Sequence, residues 1–292
     1  MSKRRFSLAE TLIKVGLGIF AVISLFPFYQ TVLMSLSKQG DIFSQKVFLY
    51  PVHIDFSAYR FLWIDGKAFR GFLVTLAITL IGTAVSMLIT IGAAYALSKK
   101  EMPGRNLFMN LIIFTMFFSG GLIPYFLTVK AVGLQNHLFS MILPSAVNTF
   151  NLILMKNFFN QIPAELEEAA RMDGANDMFI LVRIVLPVSA PILAAISLFY
   201  AVDRWNEWYN AMLFITDVKL YPLQLVLRNA IVNVSTLINS AAGAAIAEKM
   251  QSAYSESVKN AIIVISAVPI LCVYPFIQKH FAQGIMLGSL KG

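Results

Sequence analysis

Apolar residues in this chain gather into long runs separated by short polar clusters, without the strict alternation of a half-buried strand. Six runs predict helices that cross a bilayer, at about 12–36, 72–97, 107–127, 138–154, 187–209 and 261–277. The criterion is geometric: about 20 residues, each rising about 1.5 Å, cover the hydrocarbon layer. The fourth run is short. The end of the fifth carries Asp203, Arg204 and Glu207, which need water or burial within protein, because a lone charge facing lipid is costly. The triplets Gly82-Thr83-Ala84 and Gly92-Ala93-Ala94 predict places where helix backbones approach closely.

Composition turns this pattern into a fold class. Of 292 residues, 58% are hydrophobic and 13% charged, with a mean hydropathy of +0.72. No globular core hides so much apolar surface, so the chain reads as an all-α integral membrane protein with residues 1–292 as a single transmembrane domain. The net charge of +8 does not point to nucleic acid, because the basic residues sit between apolar runs, where anionic lipid is the partner. Lys3, Arg4 and Arg5 before the first run predict a cytoplasmic N-terminus and a retained first helix rather than a cleaved signal peptide. Six crossings then return the C-terminus to the cytoplasm. Lys99, Lys100, Arg105, Lys156, Arg171, Arg183, Lys279 and Lys291 fall on the inner side; Lys38, Lys46, Arg60, Lys67 and Arg70 fall in a long outer loop, where the charge rule is weak. His53, His137 and His280 have no metal-ligand spacing, and the lone Cys272 reads as a packing residue. No metal site and no catalytic residue is expected.

The chemistry concentrates between the fourth and fifth runs, in a cytoplasmic loop at 156–186. Pro163 suits the first position of a short helix, and Glu165, Glu167 and Glu168 suit its positive end. Gly174 suits a left-handed terminator, Asn176 or Asp177 can cap a second short helix, and Pro187 can open the next crossing. Ala169 and Ala170 beside Glu168 and Arg171 would let the first helix enter a narrow groove with charged walls. An interfacial connector between two crossings has the same grammar.

Glu168-Ala169-Ala170, Asp173-Gly174-Ala175 and Ile184, Leu186, Pro187 resemble the EAA signature of ABC-importer permeases, with matching spacing throughout. The stretches 117–124, 151–163 and 284–292 are similar to the carbohydrate-uptake branch of that family, particularly the maltose-type second permease and its oligosaccharide-importing relatives. The resemblance implies a type I importer fold of six transmembrane helices with a cytoplasmic coupling helix, in a bacterial cell membrane. It implies that Glu168, Ala169, Ala170 and Gly174 seat that helix in an ATPase subunit, with Asp173 stabilising the turn. It implies as partners a second homologous permease, two ATPase subunits that bind ATP and magnesium, an extracytoplasmic substrate-binding protein and an oligosaccharide. The outer segment 210–259 would meet the binding protein, and 278–292 would lie beside an ATPase. The chain itself lacks G-x-x-x-x-G-K-[ST], so the hydrolysis belongs to another polypeptide and this chain is not an enzyme.

Trp205, Asn206, Trp208 and Tyr209 combine aromatic faces with hydrogen-bonding groups, the composition that sugars require, and resemble the family's tryptophan-asparagine element. An aromatic belt at the membrane interface has the same composition. Two other functional classes fit poorly. An ion-gradient transporter would place acidic groups in mid-span, and these runs hold few. A non-transporting scaffold would leave the EAA spacing unexplained.

Overall fold

The computed structural model describes residues 8–38, 42, 49–50, 53–64, 66–238 and 257–272. The basic cluster Lys3 to Arg5, most of the alanine-rich stretch 235–247 and the tail 278–292 lie outside the described residues. The described elements are helical, and the only bridge among them is an isolated pairing of Ser37 with Ile54. Contacts divide the chain into two compact units, Met1–Gly66 with Leu227–Pro269 and Lys67–Val226 with Ile270–Gly292.

In the first unit, helix α1 (Leu8–Ser35) contains Pro27 and buries little until its last turns. Its long apolar surface, Phe20 and Leu25 included, faces outward, as expected of a helix solvated by lipid. Its C-terminal end is anchored by polar groups. The Ser35 hydroxyl bonds Tyr59 on α2 (Ser57–Ile64) at 2.7 Å, and the Tyr29 hydroxyl donates to the Leu49 carbonyl at 2.6 Å.

The second unit is organised by α3 (Lys67–Ser98), the longest described helix at 32 residues. Gly71, Thr75, Ile78, Gly82, Ser86, Thr90 and Ala94 recur every three or four residues and form its buried face. Most are small, so neighbouring helices come in close. Gly82 belongs to this face as expected, whereas Gly92 does not: a Cβ there would meet nothing within 4 Å. Helices α6 (Thr149–Phe159) and α9 (Ala190–Trp205) pack along α3, and the unit also holds α4 (Arg105–Phe117), α5 (Leu122–Ala131), α7 (Ala164–Met172), α8 (Asp177–Val188) and α10 (Tyr209–Phe214). A core of Tyr95, Leu152, Met155, Phe159, Ile180, Val185, Ile196 and Tyr200 joins α3, α6, α8 and α9. Buried hydroxyls lock the same helices, with Thr90 and Tyr200 bonded at 2.7 Å. Helix α11 (Leu223–Ile238) follows, and α12 (Ser257–Cys272) ends the described chain with Cys272 exposed rather than packed.

By length and apolarity, α1 and α3 can each cross a membrane alone, and up to five spans result if each bent helix pair is one span. The bends differ from the uninterrupted runs read from the sequence. The stretch 107–127 turns by 120° between α4 and α5, at a Ser-Gly-Gly segment where Gly121 has φ +87°. The stretch 138–154 is two 3-10 turns, Leu138–Met141 and Leu143–Ser145, bent by 53° from α6. The fifth run does not open at Pro187. Helix α8 passes through a π turn, Leu181–Val185, and stops at Ser189, with an 86° bend into α9. Pro191 has no N–H to return to the Pro187 carbonyl, so the ladder cannot run straight across this point.

The close approach at Gly82 sets a test. A Cβ there would lie 3.0 Å from Cδ and Nε of Arg204 on α9. Gly82→Leu should lower the stability of the detergent-solubilised chain by about 2 kcal/mol, the range of core overpacking, and Gly92→Leu should leave its unfolding midpoint unchanged. Equal midpoints for both variants would show that α9 does not pack against that face.

Candidate functional site

Two regions carry the residues singled out from sequence. The first is the pair α7–α8. Pro163 lies just before α7 as its N-cap residue, with ψ 130°, so the helix starts at Ala164, one residue later than expected. Glu165 and Glu167 stand in the first turn and Arg171 in the last, each favourable to the helix dipole. The helix ends in a Schellman motif: Gly174 N–H donates to Arg171 O at 3.0 Å, and Ala175 N–H to Ala170 O at 3.0 Å. Gly174 has φ +82°, which an L side chain adopts only at a cost. The Asn176 side chain then accepts from Phe179 N–H at 2.8 Å and caps α8. Arg171 donates to Asp177 at 2.9 Å across the turn, tying the two short helices together.

The side chains of α7 divide into two sets. Ala170, Ala175 and Ile162 pack against the bundle core, so Ala170 faces this chain's own helices. Glu168, Ala169, Asp173 and Gly174 are exposed, and Met172 is 89% exposed. Glu165, Glu168, Ala169 and Met172 are three or four residues apart and share one outward face. Glu167 has a different role from its neighbour: it forms an ion pair with Lys99, just beyond the end of α3, and Lys99 also lies 4.1 Å from the centre of the Tyr95 ring. Both charged side chains are largely covered. Met172 and the Lys99–Glu167 pair escaped sequence reasoning. The pair spans 68 residues, which no local pattern signals.

The second region follows α9. Arg204 is 3% exposed. One terminal nitrogen donates to Met141 O at 2.8 Å and Ser145 Oγ at 2.7 Å; the other reaches Ser86 Oγ at 3.2 Å, Ile142 O at 3.1 Å and Ser145 O at 2.6 Å. The carbonyls come from the ends of the 3-10 turns, where helical bonding stops and acceptors are left over. Of the three charged residues at the end of the fifth run, Arg204 is therefore buried in protein, Glu207 is half-buried and Asp203 is exposed. Just beyond, both Glu207 oxygens accept from Asn210, through its N–H and its Nδ2 at 2.9 Å, and the Tyr125 hydroxyl donates to Asn210 Oδ1 at 2.7 Å. These bonds join α10 to α5. Phe214 supports the same junction, stacked on Phe126 at 5.7 Å with Tyr125 edge-on at 5.5 Å.

The four sequence-derived candidates near this junction separate. Trp205 is 7% exposed and meets Phe72 edge-on at 5.9 Å, inside the bundle. Asn206 is exposed, donates to Val202 O at 2.9 Å and accepts from Gln224 at 3.3 Å. Trp208 packs against a small core around Ile78, Met141 and Ala211, and its ring stands edge-on to Tyr209 at 5.8 Å. Tyr209 reaches a cleft of about 480 Å³, whose other walls are the Ser119–Gly121 break and the Tyr125 and Thr128 turns of α5. The structure thus joins Tyr209 to the 117–124 stretch that the sequence had marked separately. Among the described residues no cluster of three His, Cys, Asp or Glu side chains could hold a metal ion.

The chain has relatives that match it over nearly its full length. Residues 86–285 match the family described as binding-protein-dependent transport system inner membrane component. The polygalacturonan/rhamnogalacturonan transport system permease protein YtcP of Bacillus subtilis (strain 168) is 42% identical, covering 98% of this chain and 99% of that protein. The trehalose/maltose transport system permease protein MalG of Thermococcus litoralis is 27% identical over 98% of each. The crystal structure of a bacterial ABC transporter involved in the import of the acidic polysaccharide alginate contains a similar chain. It superposes with a TM-score of 0.83 at 39% identity, covering 96% of this chain and 100% of that one. The chain belongs to the family of binding-protein-dependent transport system inner membrane components, as a permease subunit of an ATP-binding-cassette importer.

Proposed function

We propose that this permease forms half of the translocation path for an oligosaccharide and that residues 164–174 are a cytosolic coupling lever seated in a partner ATPase. The observation that carries the lever reading is the outward face of α7. Glu168, Ala169 and Met172 are presented to a partner on a helix whose opposite face is fixed by Ala170, by the Schellman turn and by the Lys99–Glu167 pair. A helix held in this way moves as a rigid body, so a push on its outer face is delivered to α3 and to the core that joins α6, α8 and α9. Glu168 meets a basic residue of the ATPase, Ala169 allows close approach, and Asp173 with Gly174 shapes the turn. The oligosaccharide reading draws on the sugar and polysaccharide transport systems named for its relatives.

In this scheme the assembly comprises this chain, a second homologous permease, two ATPase subunits that bind ATP and magnesium, and an extracytoplasmic substrate-binding protein. The chain crosses the membrane six times with both termini in the cytoplasm, and the bent pairs α4–α5, the 3-10 turns with α6, and α8–α9 serve in the positions of the third, fourth and fifth crossings. Broken helices suit a translocation path, because non-helical backbone at membrane depth is tolerated where it is buried in protein or lines a cavity.

Two outcomes test the lever. Glu168→Lys should insert into the membrane normally and lower sugar-stimulated ATP hydrolysis by at least about tenfold, since like charges across an interface cost several kcal/mol; normal stimulation would remove Glu168 from the contact. Reversing either member of the inner pair, Lys99→Glu or Glu167→Lys, should reduce coupled uptake about fivefold, and the double reversal should restore it to within about twofold, as a direct pair requires. A double variant no better than the singles would sink the strut.

A further inference from the structure

We infer that the cleft between the 119–128 turn and Tyr209 is a subsite for one or two pyranose rings of the transported oligosaccharide, read through ring hydroxyls and ring faces and not through charge. The inference rests on the permease reading above and names the residues that would touch the sugar. The volume of about 480 Å³ falls within the range of small-ligand sites. The polar groups around it are complementary to sugar hydroxyls, each of which both donates and accepts. Ser119 Oγ accepts from Gly121 N–H at 3.2 Å, which leaves its own O–H to donate. Thr128 donates to the Pro124 carbonyl at 2.8 Å and Tyr125 donates to Asn210 at 2.7 Å, so each oxygen keeps its acceptor capacity. Tyr209 is half exposed, and its ring is braced edge-on by Trp208 at 5.8 Å and 86°. A braced aromatic face is the ordinary platform for the C–H face of a pyranose. Gly121, without a Cβ and with φ +87°, keeps the floor of the cleft low.

Charge is missing from this inventory for a structural reason. The lining holds no Asp, Glu, Lys, Arg or His side chain. Of the nearest charges, the terminal nitrogens of Arg204 are committed to the 3-10 turns and Ser86, and both oxygens of Glu207 are committed to Asn210. Any carboxylate on the oligosaccharide must be recognised by another part of the transporter.

The test uses the complete transporter, with its ATPase subunits and binding protein, reconstituted in liposomes, and measures the half-saturation of uptake for trigalacturonate and for maltotriose. On each probe that the unaltered complex takes up, Tyr209→Ala should raise the half-saturation concentration about tenfold, the scale of one lost ring contact. Tyr209→Phe should stay within about twofold, and Thr128→Val should raise it about threefold, as for one neutral hydrogen bond. These ratios should be the same at low and high salt, because a contact without charge is not screened. Unchanged half-saturation in an assembled Tyr209→Ala complex overturns the subsite alone and leaves the permease reading standing, and so does a ratio that collapses in salt. If Tyr209→Ala fails to assemble, an unchanged value for Thr128→Val overturns it equally. Uptake of neither probe by the unaltered complex removes the oligosaccharide reading and this subsite together.

Discussion

One buried cation sets much of the second unit. A guanidinium taken out of water is costly unless its donors are satisfied; both terminal nitrogens of Arg204 find partners in the carbonyls around two consecutive 3-10 turns and in Ser86 and Ser145, while its Nε has none among the described residues. A continuous helix over 138–154 would have used those carbonyls internally. The broken backbone and the buried charge therefore satisfy each other, which is how irregular structure is accommodated inside a membrane protein. The same contact explains a position on the opposite helix. A Cβ on Gly82 of α3 would lie 3.0 Å from the side chain of Arg204, so the close approach favours a residue without one.

From that anchor the remaining geometry follows in short steps. Arg204 fixes the end of α9, so the turn at Asn206 to Trp208 and the start of α10 have a defined origin. Glu207 and Asn210 then stiffen the turn, and Tyr125 links it to α5. Helix α5 can lie against α10 only because the chain reverses at Gly120 and Gly121. The cleft at Tyr209 is the space left between these two constrained pieces.

Helix α7, in the same unit, is held by several attachments. Helix α7 is too short to be stable alone, so its order comes from its attachments: the Schellman turn, the Asn176 cap, the Arg171–Asp177 bridge and the pair with Lys99. Each is modest, and exposed ion pairs contribute little individually. Together they leave an exposed face with few internal degrees of freedom, which is the property a coupling element needs.

Membrane class, the helical nature of the elements and the small-residue face around Gly82 were legible from composition and periodicity, because lipid solvation imposes long apolar runs and close packing selects small side chains. The turn at Gly174 and the cap at Asn176 were legible for the same local reason: they depend on backbone conformation within a few residues. The bends, the inward position of Ala170, the burial of Trp205 and the ion pairing of Glu167 rather than Glu168 were not. A hydropathy run cannot tell a straight helix from two helices joined at a glycine. Which face of a short helix is covered depends on neighbours distant in the chain. The sequence by itself thus determined what each segment must be solvated by and how the chain turns locally at Gly174 and Asn176. The tertiary structure alone decided which side chains meet, because the partners of Arg204, Glu167 and Tyr209 come from segments about 60 to 120 residues away, and pairing across that distance is a property of packing.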